Sequence, residues 1–193
     1  PFSALHGNSS GGVIQIHSAD GTAPTHGHLQ ASAGRDARHA LSASSRGAGE
    51  AIGYAVAASV FDSDGWRDHS AARRASFNAK LHAALPGDGR VQLLLNHFGA
   101  PDAQDPLGLT WAQVQADPRQ ATSVATLYDT RKSVRQDQAG LRLEQPFGQG
   151  HAIEATAYAG RRAVEQFLAL PATAQANPLN SGGVIDLDND YGG

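Results

Sequence analysis

The chain has 193 residues, a formal charge of −3 and only 17% charged residues. Its Lys and Arg residues are scattered and make no basic field of the kind a phosphate backbone demands, so nucleic acid is not expected as a partner; without Cys there are no disulfides or thiolate metal sites. No apolar run approaches the ~20 residues of a spanning helix, which excludes a transmembrane helix but not a membrane.

The chain opens Pro1-Phe2-Ser3 without signal-peptide features and ends at Tyr191-Gly192-Gly193 just after a strand-like alternation begins, so it reads as incomplete at both ends. Ala4 to Ile16 forms a glycine-framed turn, with Gly7, Asn8, Gly11 and Gly12, feeding a short apolar strand. Glycines suit a tight reversal that needs positive φ and close backbone approach. Gly7-Asn8-Ser9-Ser10-Gly11 also matches a nucleophile elbow, but that motif needs a strand before it and a helix after it. Here a strand follows, so no hydrolase is expected. The stretch Ser18 to Thr25 marks the one boundary expected in the chain.

Beyond it, period-two alternation in segments of about ten residues dominates, the length of a tilted membrane strand. His28, Gln30 and Ser32 oppose Leu29, Ala31 and Ala33, and Ile52 to Val60 alternates with small residues. From Arg74 to Ala84, Arg74, Ser76, Asn78, Lys80 and His82 oppose Ala75, Phe77, Ala79, Leu81 and Ala83. Val91 to Leu95 is mostly apolar on both faces. Ala139, Leu141 and Leu143 form another apolar row, Ile153 to Ala159 a further one, and Gly182 to Asp188 starts the last. Short glycine-rich turns are expected at Arg46–Gly49, Pro86–Gly89 and Pro146–Gly150, and longer excursions at Asp62–His69, Ala100–Arg131 and about Phe167–Ser181. Short and long connections alternate, as in an outer-membrane barrel. Within the longest excursion, Thr110-Trp111-Ala112-Gln113 predicts a capped helix, and Asp117-Pro118 its stop and the start of another.

The segment Ala4-Leu5-His6-Gly7-Asn8-Ser9-Ser10-Gly11-Gly12-Val13-Ile14-Gln15-Ile16 resembles the end of the plug domain in TonB-dependent receptors, with His6 and Gln15 departing from the usual Tyr and Asn. Asp62 to Asp68 and Arg73 to Lys80 resemble the family's second extracellular loop and following strand. Gln104 to Thr110, Asp117 to Gln120 and Thr130 to Ser133 resemble the third loop of siderophore-type members. The resemblance covers nearly the whole chain, yet about a quarter to a third of a full receptor. It implies an all-β fold, a fragment of a transmembrane antiparallel β-barrel: residues 1–22 would end the plug and residues 23–193 would supply about seven to eight barrel strands. It also implies no enzyme activity, no cofactor, a ferric siderophore as cargo, energy from the TonB complex through an upstream segment, and contact with outer-membrane lipid and lipopolysaccharide.

Aromatic residues Trp66, Trp111 and Tyr128 lie in the expected excursions beside Arg67, Arg131 and Lys132, a combination that can stack on and neutralise an anionic aromatic chelate. The alternative for each is an anchoring or lipopolysaccharide-facing role. His26 and His28 share a strand face but read as merely polar, Asp62, Asp64 and Gly65 as a solvated turn, and Asp186, Asp188 and Asp190 as an exposed strand face. Other readings are a different cargo (a copper or nickel chelate, cobalamin or a glycan), a passive porin-like barrel, or a soluble glycan-binding sandwich.

Overall fold

The computed structural model describes residues 18–177, 179 and 182–193. The motif residues Gly7, Asn8, Gly11 and Gly12 therefore lie outside the described residues. The fold is all-β. Its elements are β1 (His26–Ala33), β2 (His39–Ala48), β3 (Ile52–Ser63), β4 (Ala72–Leu85), β5 (Gly89–Gln104), α1 (Trp111–Ala116), α2 (Ser123–Tyr128), β6 (Arg131–Phe147), β7 (His151–Phe167), α3 (Ala172–Gln175) and β8 (Val184–Gly192). The eight strands form one antiparallel sheet in sequence order, each paired with its neighbours in the chain.

Register explains why the alternating pattern matters. Val56, Ala79, Leu95, Ala139 and Ala159 pair in one row across β3 to β7, and Tyr54, Leu81, Leu93, Leu141 and Ala157 in the next row on that face. On the opposite face, Ala57, Asn78, Asn96, Gln138 and Gly160 pair in a polar row. Because side chains alternate with period two, a one-residue slip would exchange the faces everywhere.

The apolar face is left uncovered. Among the described residues, the buried hydrophobic side chains are Ala100, Ala125 and Val164, whereas Leu29, Ile52, Val60, Phe77, Leu141 and Ile153 stand exposed. A water-soluble domain of this size buries a core; this sheet has a single layer and an apolar surface instead. Along β4 the apolar row runs from Ala75 to Ala83. That is roughly 27 Å along the strand at ~3.4 Å per residue, or roughly 20 Å of height at a ~45° tilt, close to the ~25 Å apolar band of a membrane barrel.

Several expected boundaries shift. Strands lengthen from 8 residues in β1 to 17 in β6 and β7, beyond the expected ten or so. Pairing continues past the apolar rows because the strand ends carry their own polar partners: His97 Nδ1 lies 2.6 Å from Asp137 Oδ1, and Arg161 Nε donates to Asp188 Oδ1 at 2.8 Å. β5 likewise runs through Ala100 to Gln104 by way of an irregularity between Ala100 and Ala103, so the long excursion spans 105–130 rather than starting at Ala100. Pro101, which has no N–H to give a ladder, sits inside that irregularity. β2 has no counterpart among the expected strands and extends through Arg46 to Ala48, leaving the turn at 49–51. A Cβ on Gly47 would lie 2.4 Å from Thr25 Oγ1, so this glycine serves close packing rather than the turn.

The connections fall into two sets. Residues 49–51, 86–88 and 148–150 link strands at one end, and residues 34–38, 64–71, 105–130 and 168–183 at the other. α1 carries the expected capping box, with Thr110 N donating to Gln113 Oε1 at 2.8 Å and Gln113 N to Thr110 Oγ1 at 3.3 Å. α2 starts later than expected, capped by Thr122 rather than Asp117. Asp117 is instead the C-cap of α1, and its Oδ1 accepts the Arg119 N–H at 2.8 Å in a local turn.

Candidate functional site

Three of the four connections at this second end, 34–38, 64–71 and 105–130, are tied together. The Arg67 guanidinium donates to the Gln120 carbonyl from Nε at 3.0 Å and from Nη2 at 2.8 Å, to the Leu107 carbonyl at 2.7 Å and to the Pro106 carbonyl at 3.2 Å. A planar fork with fixed donors suits such convergent carbonyls, which a point-charge ammonium could not satisfy together. Arg119 reaches back to Asp36 at 2.7 Å, and Asp64 N donates to the Asp36 carbonyl at 3.0 Å. His69 Nε2 lies 2.9 Å from the Thr130 carbonyl. The loops at this end thus hold one another from residue 36 to residue 130 rather than waving independently.

The expected ligand residues divide accordingly. Trp66 is 55% exposed, with the Arg119 guanidinium 5.8 Å from its ring centre. Trp111 is 75% exposed on α1, and Tyr128 is half-buried on α2. Arg67 is the loop clamp just described, its donors directed to main-chain carbonyls. Arg131 lies 3.8 Å over the Phe167 ring and bonds both the carboxylate and the carbonyl of Asp129. Lys132 is exposed on the polar face. These residues do not converge on one pocket; Trp66 and Trp111 are the most accessible of them.

A second feature, which the sequence reading did not single out, lies on the polar face at the other end of the molecule. Asp20 lies over the polar face of β4 and β5, 2.6 Å from Lys80 Nζ and 2.8 Å from Arg90 Nη2. Lys80 Nζ also donates to the Ser18 carbonyl at 3.1 Å. The Lys80 and Arg90 bonds hold the Asp20 carboxyl down at about 2, below its ordinary 3.8. Gly21 is buried where a Cβ would lie 2.1 Å from the Tyr54 carbonyl oxygen, so only glycine allows this approach. Beside these residues a cavity of about 710 Å³ is lined by side chains that include His26, His28, Arg46, Asn78 and Asn96. The alternation of polar residues along β4 was the signal for this face; a distant acid pairing with Lys80 left no local trace in the sequence.

No group of three or more metal-ligating side chains occurs among the described residues, although His26 and His28 share the cavity wall. No family model matches the chain.

Proposed function

We propose that this chain is part of a TonB-dependent outer-membrane receptor, comprising the end of the plug and the first eight strands of the barrel, and that the receptor takes up a ferric siderophore. The observation that carries the reading is the uncovered apolar face: one antiparallel sheet, apolar on one side over a bilayer-like height, with almost no buried core among the described residues. Short turns at one end and longer connections at the other, three of them braced against one another, suit periplasmic turns and extracellular loops. Residues 18–21 lie against the polar face, where a plug would leave the lumen, and this favours an energised receptor over a passive porin. The cargo rests on the family resemblance, with a copper or nickel chelate, cobalamin or a glycan as alternatives. The partners would be the TonB complex, outer-membrane lipid and lipopolysaccharide.

The test uses the complete receptor in iron-starved Gram-negative cells. Radioactive iron uptake from a siderophore panel should require both the receptor and an intact TonB complex. Uptake that persists without TonB would favour a passive barrel; no uptake of any iron chelate would remove the siderophore assignment.

A further inference from the structure

The polar face has a charge pattern that bears on which cargo the proposed receptor would accept. At the short-turn end three of its four strand cations are matched, Lys80 and Arg90 by Asp20 and Arg142 by Glu144 at 2.7 Å and Glu154 at 3.0 Å, while Arg46 stands exposed beside the cavity. Towards the long loops the matching stops. Register places Arg74, Lys132 and Arg162 on this face, all exposed, and none of the strand positions sharing that half of the face is Asp or Glu among the described residues. The acids of the same strand ends, including Asp137, Glu165 and Asp188, alternate onto the opposite face. Asp102, in the strand irregularity, is opposite Arg73 and so also belongs to that other face.

Aromatic rings accompany the unmatched cations. Arg74 lies 4.6 Å and Arg38 5.7 Å from the centre of the Phe61 ring, and Phe98 is 39% exposed on the same face. Guanidinium planes and ring faces together favour flat, electron-rich anions, which can stack and be neutralised at once. A cleft lined by one sign of charge with low-dielectric walls also concentrates ions of the opposite sign.

We propose that the long-loop half of the polar face selects an anionic, aromatic iron chelate, of the ferric tricatecholate class, over neutral chelates. The inference rests on the receptor reading above, and the site differs from the residues expected from sequence: Arg38, Phe61, Arg74, Phe98, Lys132 and Arg162 replace Arg67, whose donors go to loop carbonyls, and Arg131, which is held by Phe167 and Asp129.

The complete receptor, purified in detergent, would be titrated by calorimetry with a ferric tricatecholate and with a neutral ferric trihydroxamate, at low and high salt. The tricatecholate should bind at least about tenfold more tightly, with an advantage that shrinks as salt screens the field. Replacing Arg74, Lys132 and Arg162 together by Gln should weaken the tricatecholate about tenfold and leave the trihydroxamate unchanged. Equal or tighter binding of the trihydroxamate overturns the inference while leaving a receptor in place, and binding of neither chelate overturns both. If heat-modifiable gel mobility shows that the triple variant does not fold, the salt dependence of the unsubstituted receptor decides: a tricatecholate affinity indifferent to salt contradicts the proposal.

Discussion

Adjacent positions on β4 should respond oppositely to the same added charge. Ala79 lies midway between Ala75 and Ala83 on the apolar face, flanked in register by Val56 and Leu95. Each end of that row is roughly 13 Å away along the strand, too far for a guanidinium at this position to reach water easily. An Ala79→Arg substitution should therefore cost about 2–4 kcal/mol, the penalty for Arg near the midplane of a barrel's lipid face. Asn78 instead faces the cavity between Ala57 and Asn96. An Arg there meets the charge of Lys80, but Asp20 already holds that ammonium at 2.6 Å, and water screens the remainder to about 1 kcal/mol or less. Both substitutions would be made in the complete receptor, refolded into lipid vesicles and followed by heat-modifiable gel mobility and the urea midpoint. With a urea dependence of about 2 kcal/mol per molar, Ala79→Arg should lower the midpoint by roughly 1–2 M and Asn78→Arg by a few tenths. Equal losses, or a larger loss at Asn78, would mean that the faces have been assigned the wrong way round.

Three further outcomes follow from the loops and the polar face. Arg67→Ala removes the four guanidinium hydrogen bonds from loop 64–71 to loop 105–130, leaving the Asp68 N–H bond to the Arg119 carbonyl and the His69–Thr130 contact, so limited proteolysis should cut within 105–130 several-fold faster while the urea-derived stability of the strands changes by less than ~0.5 kcal/mol; unchanged cleavage would refute the clamp. Asp20 has a folded-state value of about 2 against an ordinary 3.8, so its hold on residues 18–21 is complete above about pH 4 and lost as pH falls towards 2. A spin label at a Ser18→Cys site should be immobile at pH 7, loosen over that window, and be loose at all pH values in Asp20→Asn; a label unaffected by either change would show that the ion pairs do not dock the segment. An epitope inserted near Gln115 should be labelled by antibody on intact cells, and labelling only after permeabilisation would place loop 105–130 on the periplasmic side.

Much of the sheet was legible because strand burial on one face writes a period of two into the sequence. β4 shows this most clearly, its separation of Arg74, Ser76, Asn78, Lys80 and His82 from Ala75, Phe77, Ala79, Leu81 and Ala83 being the same separation that register imposes. β2 was not legible, since its residues are mostly small or polar and Leu41 is its single large apolar side chain; pairing with β1 and β3 makes it a strand. Strand ends beyond the apolar rows were missed for a related reason. They are held by partners distant in sequence, such as His97 with Asp137, and carry no one-sided hydrophobic pattern. The exposure of Trp66 and Trp111 follows from their place in loops, whereas the role of Arg67 depends on carbonyls of residues 106, 107 and 120 brought to it only by folding. The Asp20 contacts belong to the same class, because a carboxylate before β1 finds cations on β4 and β5 only when the chain returns across the polar face.

The central claim is that the uncovered apolar face meets lipid. Single cysteines at positions 75 to 83 of the complete receptor, labelled with an environment-sensitive fluorophore in lipid vesicles, would be challenged in turn with lipid-borne and aqueous quenchers. Labels at Ala75, Phe77, Ala79, Leu81 and Ala83 should be quenched from the lipid and those at Ser76, Asn78, Lys80 and His82 spared, in strict alternation. Aqueous quenching of both sets alike, with no lipid quenching at Ala79, would contradict a membrane-facing sheet.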